Sequence, residues 1–356
     1  MWVFGYGSLM WDGWEDQFGC TRKETATLRG YRRDFNKASV QNWGSESAAG
    51  PTLGLEALGE AECVGLAFEF PDDKRERLLH ALRAREGSSF VLEEKEVYLA
   101  SGPVVRAVVP VNDRSKTTYM GKHTLEERAR LAAVASGSSG LCRDYVKNIR
   151  DRLEALGVED RGVEEFAALV AKVQRYDAAL ERNLAETSNA ILKRRALIGL
   201  HSADSSHGLD FFRVVAHALY NDLIAHAARV FDRHPDVASF WYVVRCDEGS
   251  ARAQASTLGV NLDELGVLAD KLKLVRDKTL FHIDKEAVKN PKLVWSCAEI
   301  KGDVLGSSLE GAFRVLAGLY FKRHGVKRTV PDYDGSDAPK IIRAYKQLHP
   351  EVAILV

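Results

Sequence analysis

Residues 2–10 read WVFGYGSLM, three apolar residues that break at once into Gly5-Tyr6-Gly7-Ser8-Leu9. The apolar run reads as a strand, and two glycines around an aromatic read as a turn with a job. A phosphate-binding loop is one such job. It needs glycine at the first, third and sixth places and an amphipathic helix behind it, so that a pyrophosphate can rest on the helix N-terminus. Met10 holds the sixth place and Trp11-Asp-Gly13 follows, so the dinucleotide reading is set aside. Taken alone, the stretch is also compatible with a plain glycine turn leaving an edge strand.

Outward from this turn, short apolar or alternating runs predict strands at 1–6, 64–70, 91–99 and 104–111, with a helix near 73–86. The Gly-, Ser-, Ala- and Pro-rich stretch 38–62 reads as a long loop over the sheet. Beyond residue 120 helices take over. Thr124-Leu-Glu-Glu127 has capping-box spacing for a helix to about Ala135. SGSSG at 136–140 reads as a helix break. A second helix carries Cys142, Tyr145, Val146, Ile149, Leu153 and Leu156 on one stripe and stops at Gly157, and a third covers about 163–173. The character changes at 175–185. Most of the remainder reads as helix, including 307–324, with a capping box at Ser307–Glu310 and a stop at Gly325. Phe240–Val244 reads either as a short strand or as a buried helical turn. The expected class is therefore α+β: a mixed sheet or barrel domain over 1–175, then a mostly α-helical domain over 180–356.

Composition narrows the function classes. Of 356 residues, 46% are hydrophobic and 28% charged, and fifty basic residues balance fifty acidic ones. Zero net charge gives no support to broad nucleic-acid or membrane affinity. Five scattered cysteines, an odd number without a CxxC pair, argue against a disulfide framework or zinc ribbon and for reduced thiols. With no signal-peptide pattern and no apolar run of about 20 residues, a cytoplasmic location without membrane insertion is expected. His201, His207, His217, His226 and His234 do not repeat at metal-ligand spacing, so no metal site is expected.

FGYGSLMW at the N-terminus resembles the γ-glutamylcyclotransferase superfamily, in particular its ChaC-like branch. Three further segments carry the likeness in order: GYRRDFN at 30–36, like the family's segment after its second strand; ALRAREG at 81–87, like the stretch whose Arg-Glu supplies the family's essential carboxylate; and SGSSGLCRDYVKNIRDRLEALGVED at 136–160, like its helical tail. The resemblance spans about residues 1–173. It departs from the family at 42–50, NWGSESAAG, where a more proline-rich loop is usual.

The resemblance implies a lyase that needs no metal, nicotinamide or nucleotide cofactor. The α-amine of a γ-glutamyl compound, glutathione first among them, attacks its own γ-carbonyl, closing 5-oxoproline and expelling an amine such as Cys-Gly. Both reacting groups sit in one molecule, so positioning supplies much of the acceleration. An α-amine with a pKa near 8 must lose a proton and the leaving nitrogen must gain one. One carboxylate near both can carry it, and Glu86 in ALRAREG is the candidate. From residue type alone, a glutamate at a helix end is a solvated charge. Tyr6, Gly7, Ser8 and Leu9 are the expected substrate grip, because successive N–H groups of a turn form a concavity suited to a carboxylate. Tyr119, in TTYMG, stands where the family often has a pocket tyrosine, and equally reads as a core residue.

In the second half, LVRDKTLFHIDK at 274–285 places His282 six positions after Arg276. This resembles the R-x4-6-H motif of HEPN domains, helical folds found in RNases and abortive-infection proteins. The resemblance implies an alternative function: an RNase or toxin-type protein, dimeric through its helical domain, with RNA as partner and a first domain that senses a γ-glutamyl ligand. Six positions on a straight α-helix are roughly 240° apart, so the pair needs a helix start or bend between its members. The plain reading is an exposed helix with Lys273 and Asp277 as an i,i+4 ion pair.

Overall fold

The computed structural model describes residues 1–202, 210–280 and 284–349. The chain divides into two compact units, Met1–Gln174 and Arg175–Val356.

The first unit is built on a closed five-stranded barrel. Its strands are β1 (Trp2–Gly5), β2 (Arg22–Ser39), β3 (Gly50–Glu69), β4 (Phe90–Leu99) and β5 (Val104–Asn112), in the order β1-β3-β2-β4-β5. Strand β1 is antiparallel to β3, with Val3 opposite Phe68, and closes the barrel by pairing parallel to β5, with Val3 opposite Val108. This double partnership explains the unbroken apolar opening, since Val3 and Phe4 are both fully buried. Helix α1 (Arg75–Glu86) lies between β3 and β4 and buries Leu78 and Leu82, one helical turn apart. It ends at Gly87, with φ 69° and ψ −171°, a conformation essentially reserved for glycine. Glu86 is thus the last helical residue.

The expectation of a long loop over 38–62 is overturned. Strands β2 and β3 run 18 and 20 residues and pair with each other along most of that length, leaving only 40–49 as the connection. Two of the glycines that suggested a loop mark close approach. A Cβ on Gly54 would lie 1.9 Å from Asn112 Nδ2, and one on Gly50 would lie 2.0 Å from the Trp43 carbonyl oxygen. GYRRDFN lies within β2 rather than after a strand. The register shifts between Asp34 and Lys37, where Phe35 and Asn36 on β2 face the single residue Leu53 on β3. Such a bulge at a barrel rim re-aims side chains.

Helix α2 (Leu125–Val134) starts at the predicted box: the Thr124 hydroxyl accepts the Glu127 N–H and the Glu127 carboxylate accepts the Thr124 N–H. The break at SGSSG becomes a two-stranded hairpin, β6 (Ser136–Gly137) and β7 (Gly140–Leu141). Helix α3 (Cys142–Ala155) buries Cys142, Tyr145, Val146, Ile149 and Leu153, while Leu156 lies past its end and is exposed. Helix α4 (Arg161–Ser202) covers the predicted third helix and continues far beyond it. Its early residues Val163, Phe166 and Val170 join the barrel-side core, where Phe166 stacks on Phe35 with centroids 4.1 Å apart.

In the second unit every element among the described residues is helical. After α4 come α5 (Asp210–Val230), α6 (Phe240–Cys246), α7 (Glu248–Thr257), α8 (Leu262–Val275), α9 (Pro291–Ala298), α10 (Gly302–His324) and α11 (Asp337–Leu348). Its core gathers Leu180, Phe231, Phe240, Leu309 and Leu316. Phe240–Val244 is helical, which settles the strand-or-helix alternative. The capping box at Ser307–Glu310 does not form. Helix α10 begins five residues earlier because Leu305 and Gly306 belong to its buried face, and the Ser307 hydroxyl donates back to the Val304 carbonyl. Gly325 ends α10 in the left-handed region as expected, with φ 68°.

Candidate active site

Six segments of the first unit line a cavity of about 350 Å³. The turn after β1 supplies Tyr6, Gly7, Ser8 and Leu9. The end of α1 supplies Arg85 and Glu86. Strands β2 and β3 with their connection supply Lys37, Ser39, Asn42, Trp43, Thr52 and Leu53. Phe90, Pro110 and Tyr145 complete the wall.

The turn is held from three sides. The Tyr6 hydroxyl donates to the Pro110 carbonyl at 2.9 Å, the Trp14 indole N–H donates to the Leu9 carbonyl at 2.9 Å, and Arg33 Nε donates to the Tyr6 carbonyl at 2.7 Å. Residues Ser8–Met10 form a single 3-10 turn, with the Met10 N–H on the Gly7 carbonyl. The amides of Ser8 and Leu9 open this turn, where helical geometry leaves donors without internal partners. Neither Gly5 nor Gly7 has a positive φ, so neither serves the turn through the left-handed region. Gly5 is needed for space: a Cβ there would lie 2.9 Å from Leu9 Cβ.

Glu86 points into the cavity, with its side chain 15% exposed. Burial pushes its pKa above the usual glutamate value, while the charges of Arg85 and Lys37 pull the other way without cancelling the rise. Arg85 is the tie between the turn and the helix. Its Nη2 donates to Ser8 Oγ at 3.0 Å and to the Asp12 carboxylate, and its Nε donates to Glu86 Oε1 at 3.3 Å. Tyr6 and Tyr145 are buried, and burial raises both phenols well above their ordinary pKa. Both therefore stay protonated at neutral pH. The Tyr145 hydroxyl accepts the Leu53 N–H at 3.2 Å, satisfying the one residue that the bulge leaves out of register.

Of the expected site residues, Tyr6, Gly7, Ser8, Leu9 and Glu86 line this one cavity. Tyr119 does not. Its backbone bridges to Lys37 and its hydroxyl donates to the Glu56 carboxylate at 3.0 Å, on another part of the barrel. The tyrosine in the cavity wall is Tyr145, which the sequence marks only as one member of the apolar stripe of α3. Arg85, Lys37 and Tyr145 were missed. The signal available for Arg85 was its place beside Glu86; nothing local marks the other two.

In the second unit Arg276 donates from Nη1 to the Asp232 carboxylate and from Nε to Asp277 at 2.7 Å, in a π-helical turn that follows α8. Asp277 thus serves Arg276 rather than Lys273. Arg276 is spent on two carboxylates, and His282 lies outside the described residues. Among the described residues no three His, Cys, Asp or Glu side chains group to hold a metal ion, and no helix is long and apolar enough to cross a membrane. Cys63 and Cys142 are buried thiols pushed up to about 11 and about 12.

Residues 1–175 match the family described as ChaC-like protein. Gamma-glutamylcyclotransferase 2-3 of Arabidopsis thaliana is 35% identical over 182 residues, covering 49% of this chain and 89% of that protein. The glutathione-specific gamma-glutamylcyclotransferase of Escherichia coli K12 is 29% identical over 175 residues, covering 49% of this chain and 74% of that protein. A crystal structure of a glutathione-specific γ-glutamyl cyclotransferase from yeast is 19% identical, with a TM-score of 0.44, over 49% of this chain and 96% of that one.

Proposed function

This chain belongs to the ChaC-like protein family, and from that premise we propose that its first unit is a γ-glutamylcyclotransferase acting on glutathione, with Glu86 as the proton carrier. The observation that carries the reading is the Glu86 carboxyl, drawn into a cavity with the Tyr6–Leu9 turn and tied to it through Arg85.

The α-carboxylate of the substrate rests on the turn, where the amides of Ser8 and Leu9 and the Ser8 hydroxyl offer donors to an anion. The Glu86 carboxylate accepts a proton from the α-ammonium, and the freed amine attacks the γ-carbonyl. A carbon–nitrogen bond forms to close the five-membered lactam, and the oxyanion is met by turn donors. Glu86 returns the proton to the departing nitrogen as the amide bond breaks, and the second proton of the attacking nitrogen passes over the same carboxylate to the leaving amine, which releases 5-oxoproline and Cys-Gly with its amine as an ammonium. No net proton or electron is exchanged. A carboxyl whose burial raises its pKa is a stronger base than a solvated glutamate, and the two neighbouring cations oppose that rise by favouring its charged form. Tyr6, its hydroxyl spent on the Pro110 carbonyl, is a neutral wall, and Tyr145 is a neutral wall whose hydroxyl can also donate. The free thiols of all five cysteines fit a reducing cytoplasm.

The test is release of 5-oxoproline from glutathione by the full chain and by Glu86→Gln. Loss of the proton carrier lowers kcat by about 10² to 10⁴-fold. Turnover by the variant within a few-fold of the parent would sink the assignment.

A further inference from the structure

Resting on that reading, we propose that Lys37 decides which γ-glutamyl compounds the cavity takes: its ammonium receives a carboxylate carried on the leaving amine. The substrate class is then γ-glutamyl peptides with a free C-terminal carboxylate rather than γ-glutamyl amines or amides.

Three charged side chains line the cavity: Lys37, Arg85 and Glu86. Arg85 is committed to Ser8, Asp12 and Glu86. Glu86 is committed to Arg85 and to the proton. Lys37 is the remainder. Its Nζ lies 5.3 Å from the centre of the Phe90 ring, and among the described residues it has no carboxylate or other hydrogen-bond acceptor within reach. A half-buried cation with no hydrogen-bonded counter-ion is costly. That cost registers in Lys37 itself, because burial lowers its pKa while the charge of Glu86 opposes the fall.

The placement is rigid. Lys37 pairs with Thr52 on β3 on one side and bridges to Tyr119 on the other, one step past the bulge at Phe35 and Asn36. The bulge resets the alternation of β2 at this point, which re-aims the side chains that follow. With the α-carboxylate on the Tyr6–Leu9 turn and the γ-carbonyl near Glu86, the leaving amine must lie against the remaining walls. Those built by β2, its connection and the start of β3 are Lys37, Ser39, Asn42, Trp43, Thr52 and Leu53. Lys37 is their one charge.

The assay compares kcat/KM for glutathione and for glutathione C-terminal carboxamide, followed by 5-oxoproline release from the full chain, Lys37→Met and Lys37→Arg. A charge-assisted contact predicts that the parent favours the acid over the amide by about 10- to 100-fold. In Lys37→Met this ratio falls to near one, and Lys37→Arg restores part of it. The proposal is overturned if the parent treats both substrates alike, or if Lys37→Met keeps the ratio. Equal loss of both substrates in the methionine variant keeps the ratio and overturns the proposal likewise, leaving Lys37 only its electrostatic partnership with Glu86. Should Lys37→Met fail to fold, the parent's ratio and its retention in Lys37→Arg decide the question. Release of 5-oxoproline from neither substrate by the parent is a different failure, that of the cyclotransferase reading itself.

Discussion

Replacing Arg33 by methionine would test how the substrate-binding turn is held. Arg33 lies on β2 with a fully buried side chain. Its Nε holds the Tyr6 carbonyl at 2.7 Å, its Nη1 meets the Asp160 carboxylate at 2.9 Å, and its Nη2 donates to the Val64 carbonyl. The other Asp160 oxygen accepts the Val163 N–H at 3.1 Å, so this aspartate also caps α4. Methionine keeps most of the arginine stem's volume, so the cavity cost is small. What is lost is the charge partner of a mostly buried carboxylate and the donor to a loop carbonyl. Removing one member of a buried ion pair typically costs 3–5 kcal/mol. Asp160 is 16% exposed, and water softens its isolation, so the lower end, about 3 kcal/mol, applies here. For a unit of this size each kcal/mol lowers Tm by roughly 2–4 °C, a fall of about 6–12 °C. Loss of 5-oxoproline release on heating reports on the unit that carries the activity. Adding Asp160→Asn removes the stranded charge and keeps a capping oxygen, so the double variant should recover at least about 1 kcal/mol relative to additivity. The freed Tyr6 carbonyl should also cost up to about 100-fold in kcat, since small displacements of a positioning group are expensive. A Tm shift below about 2 °C, or strict additivity in the double variant, would refute the view that Arg33 holds the turn.

Two further outcomes follow from the same cavity. The folded-state pKa of Glu86 is raised by burial, so its contribution favours the fold below the unfolded glutamate pKa and is lost as pH rises through the folded value. Glu86→Gln should therefore be more stable than the parent at pH 7, with the gap closing towards pH 4, as read by urea unfolding under circular dichroism; a less stable variant at pH 7 would contradict burial as the dominant cause. Tyr145→Phe leaves the Leu53 N–H at the bulge without an acceptor, at a cost of about 1–3 kcal/mol. Faster hydrogen exchange at Leu53 is the local signature, and an unchanged rate would show that the amide does not depend on the hydroxyl.

Local rules went furthest where the cause of a structure is itself local. The Thr124–Glu127 box, the apolar stripe of α3, the stop at Gly325 and the strand-to-turn break at Gly5 each depend on neighbours in the chain, and each is present. The same rules failed where a distant element decides. Gly54 in β3 looks like loop until Asn112 is placed against it. Ser307–Glu310 has capping spacing, yet the buried face of α10 starts earlier and overrides it. Arg85 and Glu86 are adjacent, and consecutive helical residues do not share a face. Nothing local pairs them until Ser8 and Asp12 come round from β1 to engage the guanidinium. Lys37 and Tyr145 enter the cavity only because the bulge in β2 and the packing of α3 bring them there.

The same geometry explains why a costly arrangement persists. A glutamate at the end of an exposed helix would sit in water at no expense, paired with nothing. Here Gly87 ends α1 at the residue after Glu86, and the carboxyl stays mostly buried beside two cations. Burial alone would drive it towards the neutral acid, which cannot take a proton from the substrate. The cations alone would hold it so firmly ionised that it would surrender its basicity. Set against each other, they leave a carboxyl more basic than a solvated glutamate whose charged form two cations still favour. Arg85 supplies its share while bridged to the turn, so the group that tunes the base is also the group that fixes its position against the substrate grip. A surface ion pair would need neither the burial nor the bridge. Their coincidence at one residue, inside a cavity lined by the anion-binding turn, is what distinguishes Glu86 from the other acidic side chains among the described residues.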